Sequence, residues 1–260
     1  YGENIVLRVL DREKSIVHLD RMNLPAAIMA KLEVMLSRPE GILIVTGPTG
    51  SGKTTTLYSL LAQVNDETVN IMTLEDPVEY PLTLMRQTSV SEVARMDFAN
   101  GIRSIIRQDP DIILVGEMRD LETIRLALTG AETGHLVFGT LHTSSAAKTI
   151  DRVVDVFPAA EKEMVRAMLS ESLRAVISQT LLKRIGGGRI AAHEIMIGTP
   201  AIRNLIRENK VAQMYSSIQT SQSVGMMTLD QCLVDLVRRN VINLAEARNR
   251  AVNKDLFMGG

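Results

Sequence analysis

Eight consecutive residues, from Gly47 to Thr54, have the types and spacing of a loop that binds phosphate groups. They read GPTGSGKT and satisfy every position of the pattern G-x-x-x-x-G-K-[ST]. Glycines let successive backbone N–H groups turn toward a polyphosphate, the amine of Lys53 can reach its terminal phosphates, and the hydroxyl of Thr54 can ligate Mg²⁺. The sequence therefore predicts a site for a nucleoside triphosphate with magnesium.

The segments on either side of this loop are those that phosphate binding requires. An apolar run from Ile42 to Thr46 predicts a strand, and Thr55 to Val64 is compatible with a helix. The positive N-terminal end of such a helix favours a bound anion. We therefore predict that the nucleotide is contacted by Gly47, Pro48, Thr49, Gly50, Ser51, Gly52, Lys53, Thr54 and Thr55.

Several acidic residues follow two further apolar runs. Glu117 comes one glycine after the run Ile112 to Val115, at the end of a strand where open α/β sheets bind ligands. Glu75, Asp76 and Glu79 follow the run Asn70 to Leu74. Hydrolysis of a triphosphate needs an acid near the metal and a group that activates water. These residues are candidates for both tasks, and solvated loop acids are the alternative.

Histidines and arginines supply further candidates. His142 ends the predicted strand Leu136 to Thr140 and suits a contact with phosphate or with Glu117, whereas His135 begins that strand and could equally cap a turn. Positive charge on a transferring phosphoryl group, often contributed by a neighbouring subunit, raises turnover by about 10³ to 10⁵. The pattern does not choose among the candidate arginines, which are Arg103, Arg107, Arg119 and Arg152.

The order of elements indicates an α/β fold, a mostly parallel sheet flanked by helices. A further strand is predicted over Ile190 to Ile197, and a helix from Asn23 toward Ser37. Pro158 is expected to open a long helix that ends at Gly186 to Gly188. Its apolar face would comprise Met164, Met168, Leu169, Leu173, Val176 and Ile177. Caps predicted at Thr199, Thr228 and Asn243 indicate a small helical subdomain over about the last 60 residues.

Composition argues against several classes of protein. The 260 residues carry a net charge of −1, only 3% are aromatic and none is Trp, so nucleic acid is not an expected partner. No apolar stretch of about 20 residues predicts a membrane span. The single cysteine, Cys232, lies in an apolar stripe and is expected to be a buried thiol, which suits a cytoplasmic protein. The chain starts at Tyr1 rather than Met, as a fragment would.

Four motifs in order resemble the type II/type IV secretion ATPases, which are hexameric RecA-like motors. GPTGSGKT, LEDPVEY, IILVGEMRD and TGHLVFGTLHT resemble the Walker A motif, Asp box, Walker B motif and His box of that family, and they extend to Thr143. From about Ile112 onward the chain is more similar to the branch that retracts type IV pili. AIRNLIRE, from Ala201 to Glu208, resembles a motif of the retraction motors.

The front half resembles another branch of the same family. TTTLYSLL, LEDPVEY and RQDPD are more similar to the pilus-extension and type II secretion members. Those members usually carry a four-cysteine zinc element, whereas this chain has one cysteine. The resemblance therefore implies an ATPase that powers pilus retraction and twitching motility, with extension or type II secretion as the alternative. A non-catalytic nucleotide-binding ring subunit and a RecA-like helicase are the other classes considered.

The resemblance also implies roles for individual residues. Lys53 and Thr54 would hold ATP and Mg²⁺, Glu117 would be the Walker B acid and a metal ligand, and Glu79 would activate water. His142 would be the His-box residue. The remaining residues match arginines of the secretion-ATPase pattern, and the first of them lies in the connector ahead of the core: Arg8, Arg103, Arg107, Arg119 and Arg152.

Domains and partners follow from the same resemblance. Residues 1–20 would be the last strand, near Ile5 to Leu10, and the linker of a truncated PAS-like domain. Residues 21–200 would form the RecA-like core, and residues 201–260 the helical subdomain. The implied assembly is a homohexamer at the cytoplasmic face of the inner membrane, held there by a pilus platform protein.

Overall fold

A seven-stranded sheet forms the centre of the molecule. The computed structural model describes residues 2–7, 17–91 and 96–258. The strands are β1 (Gly41–Thr46), β2 (Ile71–Glu75), β3 (Met85–Ser89), β4 (Ile112–Val115), β5 (Leu136–Leu141), β6 (Leu173–Lys183) and β7 (Arg189–Ile197).

The sheet is mostly parallel, as the sequence predicts. Its order is β3-β2-β4-β5-β1-β6-β7, and every neighbouring pair is parallel except β6 with β7. Strands β1, β4 and β5 are buried along their whole length because helices cover both of their faces. The carboxyl ends of β1, β2, β4 and β5 therefore meet at one edge.

Ten α-helices accompany the sheet within the described residues. They are α1 (Ala26–Leu36), α2 (Lys53–Ala62), α3 (Phe98–Ile106), α4 (Leu121–Glu132), α5 (Ala146–Asp155), α6 (Lys162–Ser172), α7 (Pro200–Arg207), α8 (Met214–Thr220), α9 (Leu229–Arg238) and α10 (Leu244–Arg250).

The long helix expected after Pro158 is wrong in its second half. A 3₁₀ turn and then α6 follow the proline, but α6 ends at Ser172 and the chain continues directly as β6. Leu173, Val176 and Ile177 therefore lie in a strand. Strand β6 pairs with β1 on one edge and β7 on the other, and most of its residues are buried on both faces, so its sequence lacks the alternation of a half-exposed strand.

The C-terminal part packs against the β6–β7 hairpin through a second, smaller core. Cys232 is buried there, as expected, among apolar residues of α9 and α10 and Leu182 of β6. In contrast, α7 and α8 contribute to the main core. Predicted caps form at Thr199 and at Thr228, where a full capping box with Gln231 is present. Asn243 caps α10.

The first residues contribute little to this fold. Residues 2–7 belong to no strand, and the side chains from Ile5 to Leu7 are exposed. The other half of the strand expected over Ile5 to Leu10 lies outside the described residues, as does Arg8. Across the described ranges, no helix combines the length and apolarity that crossing a bilayer requires.

Candidate nucleotide-binding site

The predicted phosphate loop connects β1 directly to α2, as the sequence indicates. Gly47, Gly50 and Gly52 have φ values of 147°, 77° and 88°, a region that side chains with a Cβ rarely adopt. Helix α2 begins at Lys53, so its free N–H groups open onto the loop. The loop therefore has the form of an anion site at a helix N-terminus.

Lys53 folds back over this loop. Its Nζ donates to the carbonyl oxygens of Gly47, at 2.8 Å, and Pro48, at 3.1 Å, and lies 3.5 Å from Nδ1 of His142. Partial burial lowers the pKa of Lys53, and the negative charge of Glu117 opposes that shift. A bound polyphosphate would raise the pKa of Lys53 again, because anions stabilise the charged amine.

Glu117 lies at the centre of a charged network beside the loop. Its carboxylate accepts from Nε2 of His142 at 2.9 Å and pairs with Arg119 at 2.5 Å. Burial alone would raise the pKa of Glu117, but the hydrogen bond and charge of Arg119, together with His142, lower it overall. Glu117 is therefore held as a carboxylate, and the expected contact between His142 and Glu117 is present.

Neighbouring strands place Glu117 and His142 together. Parallel pairing of β4 with β5 sets Val115 beside Gly139. Glu117 and His142, which follow these two strands, therefore lie at the same edge of the sheet. The hydroxyl of Thr140 donates to the carbonyl oxygen of Gly116, and the N–H of Met118 donates to Thr140 at 3.0 Å. These bonds hold the segment that carries Glu117 against the end of β5.

The three acids at and after the end of β2 have different surroundings. Glu79 is exposed and accepts from the Thr54 hydroxyl at 3.2 Å, so it reaches the loop. Asp76 is exposed, whereas Glu75 points inward and is only 4% exposed. Glu75 accepts hydrogen bonds from Tyr58 and from Thr73. Glu75 thus belongs to the buried packing and is removed from the candidate acids.

The candidate arginines fall into two groups. Arg119 contacts Glu117, and Arg152 donates to the backbone oxygen of Arg119 at 3.4 Å. Arg103 pairs with Glu122 on α4, and Arg107 is exposed at the end of α3. None of the contacts of Arg103 or Arg152 is with the phosphate loop.

The other histidines lie away from this edge. His135 stands at the opposite end of β5, where its Nδ1 is 3.1 Å from the carbonyl oxygen of Gly130. His135 therefore contacts the turn before β5, which is the alternative that the sequence left open for it. His193 is fully buried on β7.

Gln179 of β6 is a site residue that sequence reasoning missed. It is only 4% exposed, and its amide lies between the loop carbonyl of Ser51 and the hydroxyl of Thr56. A glutamine in an apolar run is a weak signal in itself. The segment was predicted to be a helix, and a helix would not pair with β1. The pairing of β6 with β1, which brings Gln179 next to the loop, was therefore not expected.

A second set of residues missed in the sequence lines a pocket of about 290 Å³ on the outer side of the loop. Residues 48–51 form one wall, and the ends of the β6–β7 hairpin and α10 form the other. Glu246 of α10 accepts from the backbone N–H of Lys183 at 3.0 Å and so fixes α10 to β6. The basic side chains of this pocket are Lys183, Arg189 and Arg250.

The donor set fits a magnesium ion that is bound mainly through phosphates and water. Mg²⁺ commonly takes one or two protein oxygens in nucleotide sites. Here the Thr54 hydroxyl and the Glu79 carboxylate are adjacent, and Glu117 is ionised nearby. The described residues contain no cluster of three or more His, Cys, Asp or Glu that could hold a metal ion.

A family model described as type II/IV secretion system protein matches residues 1–187 of the chain. The type IV pilus retraction ATPase PilT of Pseudomonas aeruginosa is 66% identical over 218 residues, which are 82% of this chain and 63% of that protein. A twitching motility protein of Neisseria gonorrhoeae is 58% identical over 223 residues, 84% of this chain and 59% of that protein. The chain thus spans somewhat less than two thirds of these relatives.

A solved structure shares the fold. The crystal structure of the pilus retraction motor PilT with bound ADP superposes with a TM-score of 0.85 at 44% identity. The aligned region covers 96% of this chain and 70% of the PilT chain. The α/β architecture of a mostly parallel sheet flanked by helices, predicted from the sequence, is confirmed.

Proposed function

This chain belongs to the type II/IV secretion system protein family, and from that premise we propose that it is an ATPase whose ATP hydrolysis powers type IV pilus retraction. The observation that carries the proposal is the phosphate loop on β1 with Lys53, Glu117 and His142 converging beside it. The 66% identity with a pilus retraction ATPase favours retraction over extension or type II secretion.

The residues around the loop divide the work of hydrolysis. Loop N–H groups and Lys53 would bind and orient the phosphates of ATP, and Lys53 would exchange its bonds to the Gly47 and Pro48 carbonyl oxygens for phosphate oxygens. Mg²⁺, held by Thr54 and Glu117, would neutralise charge on the phosphates. Glu79, which accepts a hydrogen bond from the Thr54 hydroxyl, would orient and deprotonate the attacking water. His142 and Arg119 keep Glu117 ionised and fixed.

Some of the positive charge for the reaction is proposed to come from a neighbouring subunit. Arg103, Arg107 and Arg152 are exposed, so they are available to an adjacent protomer in a ring. Arg8 is proposed to act in the same way from the connector ahead of the core. An arginine that reaches a phosphoryl group across an interface makes turnover depend on assembly.

The working assembly would be a homohexamer at the cytoplasmic face of the inner membrane. Domain closure on ATP and reopening after hydrolysis would drive a pilus platform protein to disassemble the pilus. The proposed division into a PAS-like remnant over 1–20, a core over 21–200 and a helical part over 201–260 supplies the moving bodies. No nucleic-acid partner is proposed, given the net charge of −1.

Phosphate release by the purified protein tests the enzymatic part. We expect Lys53→Ala to keep its fold and lose at least about 10²-fold in turnover, because a preorganised charge on the transition state is removed. Lys162→Ala is the control, since Lys162 pairs with Asp155 on the surface and leaves the loop intact. Parental turnover in Lys53→Ala contradicts the assignment of the loop. Nucleotide binding without turnover by the parent would indicate the non-catalytic ring subunit.

The cellular part needs a separate test. The gene for this chain, expressed in a cell that lacks its pilus retraction ATPase, should restore twitching, whereas the Lys53→Ala variant should not. Restored pilus assembly in an extension-deficient cell would instead support the extension alternative.

A further inference from the structure

Gln179 supports the phosphate loop from behind, on the side away from the charged network. It lies on β6 next to β1, and its side chain is almost completely buried. Its Nε2 donates to the carbonyl oxygen of Ser51 at 2.6 Å, and its Oε1 accepts from the hydroxyl of Thr56 at 2.7 Å. One amide thus joins the loop to the first turns of α2.

The chemistry of the partners fixes the direction of both bonds. A backbone carbonyl such as that of Ser51 can only accept, so the NH₂ group of Gln179 must face it, and the remaining amide oxygen is left for Thr56. With a donor and an acceptor on one planar group, this amide satisfies both buried partners. A buried partner left without its bond would cost free energy.

The bond to Ser51 also sets the direction of a loop N–H. In a planar trans peptide the C=O and the following N–H point in opposite directions. Because the Ser51 carbonyl is drawn toward β6 by Gln179, the N–H of Gly52 points away from β6, toward the concave side of the loop. That side is where the phosphate groups are expected to bind.

Two of the loop glycines are pressed against the same residue. A Cβ on Gly47 would overlap the backbone oxygen of Gln179, and a Cβ on Gly52 would lie 3.2 Å from its Nε2. The loop therefore rests on Gln179 at both ends. The close fit explains why these positions need glycine beyond their positive φ values.

From these contacts we infer that Gln179 is a positioning residue for nucleotide binding: its amide holds the Ser51–Gly52 peptide and α2 in the geometry that receives the phosphates. It acts through the loop and does not touch the nucleotide. The inference rests on the proposed ATPase function for its ligand, and it assigns the β6–β7 hairpin a part in the nucleotide site.

Equilibrium binding of ADP to the purified protein tests this role. Gln179→Glu should raise the Kd at least about tenfold, because a carboxylate oxygen would face the Ser51 carbonyl oxygen and both could only accept. Thr56→Val leaves the Ser51 bond in place and should raise the Kd less. Thr56→Ser keeps the hydroxyl and should restore the parental Kd. In steady-state turnover, KM for ATP should rise more than kcat falls.

Thr199→Val separates positioning from stability. It removes the N-cap of α7, which lies past the end of β7 that pairs with the start of β6 and so at the opposite end of the sheet from the loop, and it should lower the melting temperature and leave the Kd unchanged. A parental Kd for ADP in folded Gln179→Glu and Thr56→Val would overturn the inference. If the parent binds ADP but does not hydrolyse ATP, the proposed ATPase activity is refuted. The comparison of ADP Kd values between the parent and the variants would still test the role of Gln179. A parent that binds no ADP would overturn both.

Discussion

The phosphate loop lies between two walls of opposite character. On one side, the ends of β2, β4 and β5 bring charged and partly exposed groups, with Glu117, Arg119 and His142 in contact. On the other side, β6 presents the buried and neutral Gln179 next to the loop, and the buried His193 stands opposite Gln179 on the neighbouring strand β7. The first wall carries groups that could take part in chemistry, and the second holds the loop in place.

This difference follows from the cost of burying charge. A charged group away from water needs a partner, whereas an amide such as Gln179 needs only its hydrogen bonds. Among the buried residues of β6 and β7, Glu194 is the charged exception, and it accepts the N–H of Ala146 at the start of α5, at 2.8 Å. Burial still raises the pKa of Glu194. We conclude that reactivity and rigidity are built by separate strands around one loop.

Replacing the central carboxylate should have the largest effect. Glu117→Gln keeps the shape of the side chain but removes the charge that Arg119 and His142 surround. We expect turnover to fall by at least about 10²-fold, as for loss of other charged groups in a reaction centre. ADP affinity should remain near the parental value. Phosphate release and ADP binding are the measurements.

Asp155→Asn is the matched control for that change. Asp155 is an exposed carboxylate that forms an ion pair with Lys162 and not with a residue of the loop. Its loss should leave turnover unchanged. An equal loss of turnover in both variants would mean that the charged wall has no special role.

A pair of glycine substitutions tests the steric contact between the loop and the second wall. Gly47→Ala would force a Cβ against the backbone of Gln179, whereas a Cβ on Gly50 meets nothing within 4 Å. Both positions have positive φ, which costs about 1–2 kcal/mol for alanine. Overlap should add about 1–3 kcal/mol at Gly47. Urea unfolding should show the larger loss for Gly47→Ala, and equal losses would contradict a rigid second wall.

The smallest expected effect concerns pH and His193. Burial lowers the pKa of His193 from 6.5 to about 4, and neither ring nitrogen has a hydrogen-bond partner among the described residues. Between these values the unfolded chain binds the proton more readily, so stability is lost as the pH falls from 6.5 toward 4. The slope should approach about 1.4 kcal/mol per pH unit.

His193→Leu should remove this contribution. The free energy of unfolding, measured in urea at pH 5 and pH 7, should then depend less on pH than in the parent. Ile195→Val, which makes a small apolar change on the same strand and removes no titratable group, should keep the parental slope. An unchanged slope in His193→Leu would show that its ring is not the buried neutral group described for the second wall.

Much of the first wall could be predicted because each of its residues belongs to a pattern of a few consecutive residues. The phosphate loop, Glu117 and His142 each follow an apolar run, and parallel strands bring such positions to one edge. The same reasoning failed for Glu75. Nothing in its local sequence shows that the last residue of β2 points inward to Tyr58 and Thr73.

Most of the second wall could not be predicted in this way. The apolar spacing of Leu173, Val176 and Ile177 suits a helix, and the chain forms β6 because β1 and β7 offer pairing on both sides. Strand β3 was also missed, since its polar sequence MRQTS at the sheet edge has no apolar run. In both cases long-range pairing overrides local preference.

The amino-acid sequence alone determined the phosphate loop, its flanking strand and helix, and the acid and histidine beside it, because each depends on residues that are neighbours in the chain. Only the tertiary structure decided which acid reaches Thr54, which one is buried, and that Gln179 supports the loop. Those outcomes depend on contacts between strands far apart in sequence, whose geometry no local pattern encodes.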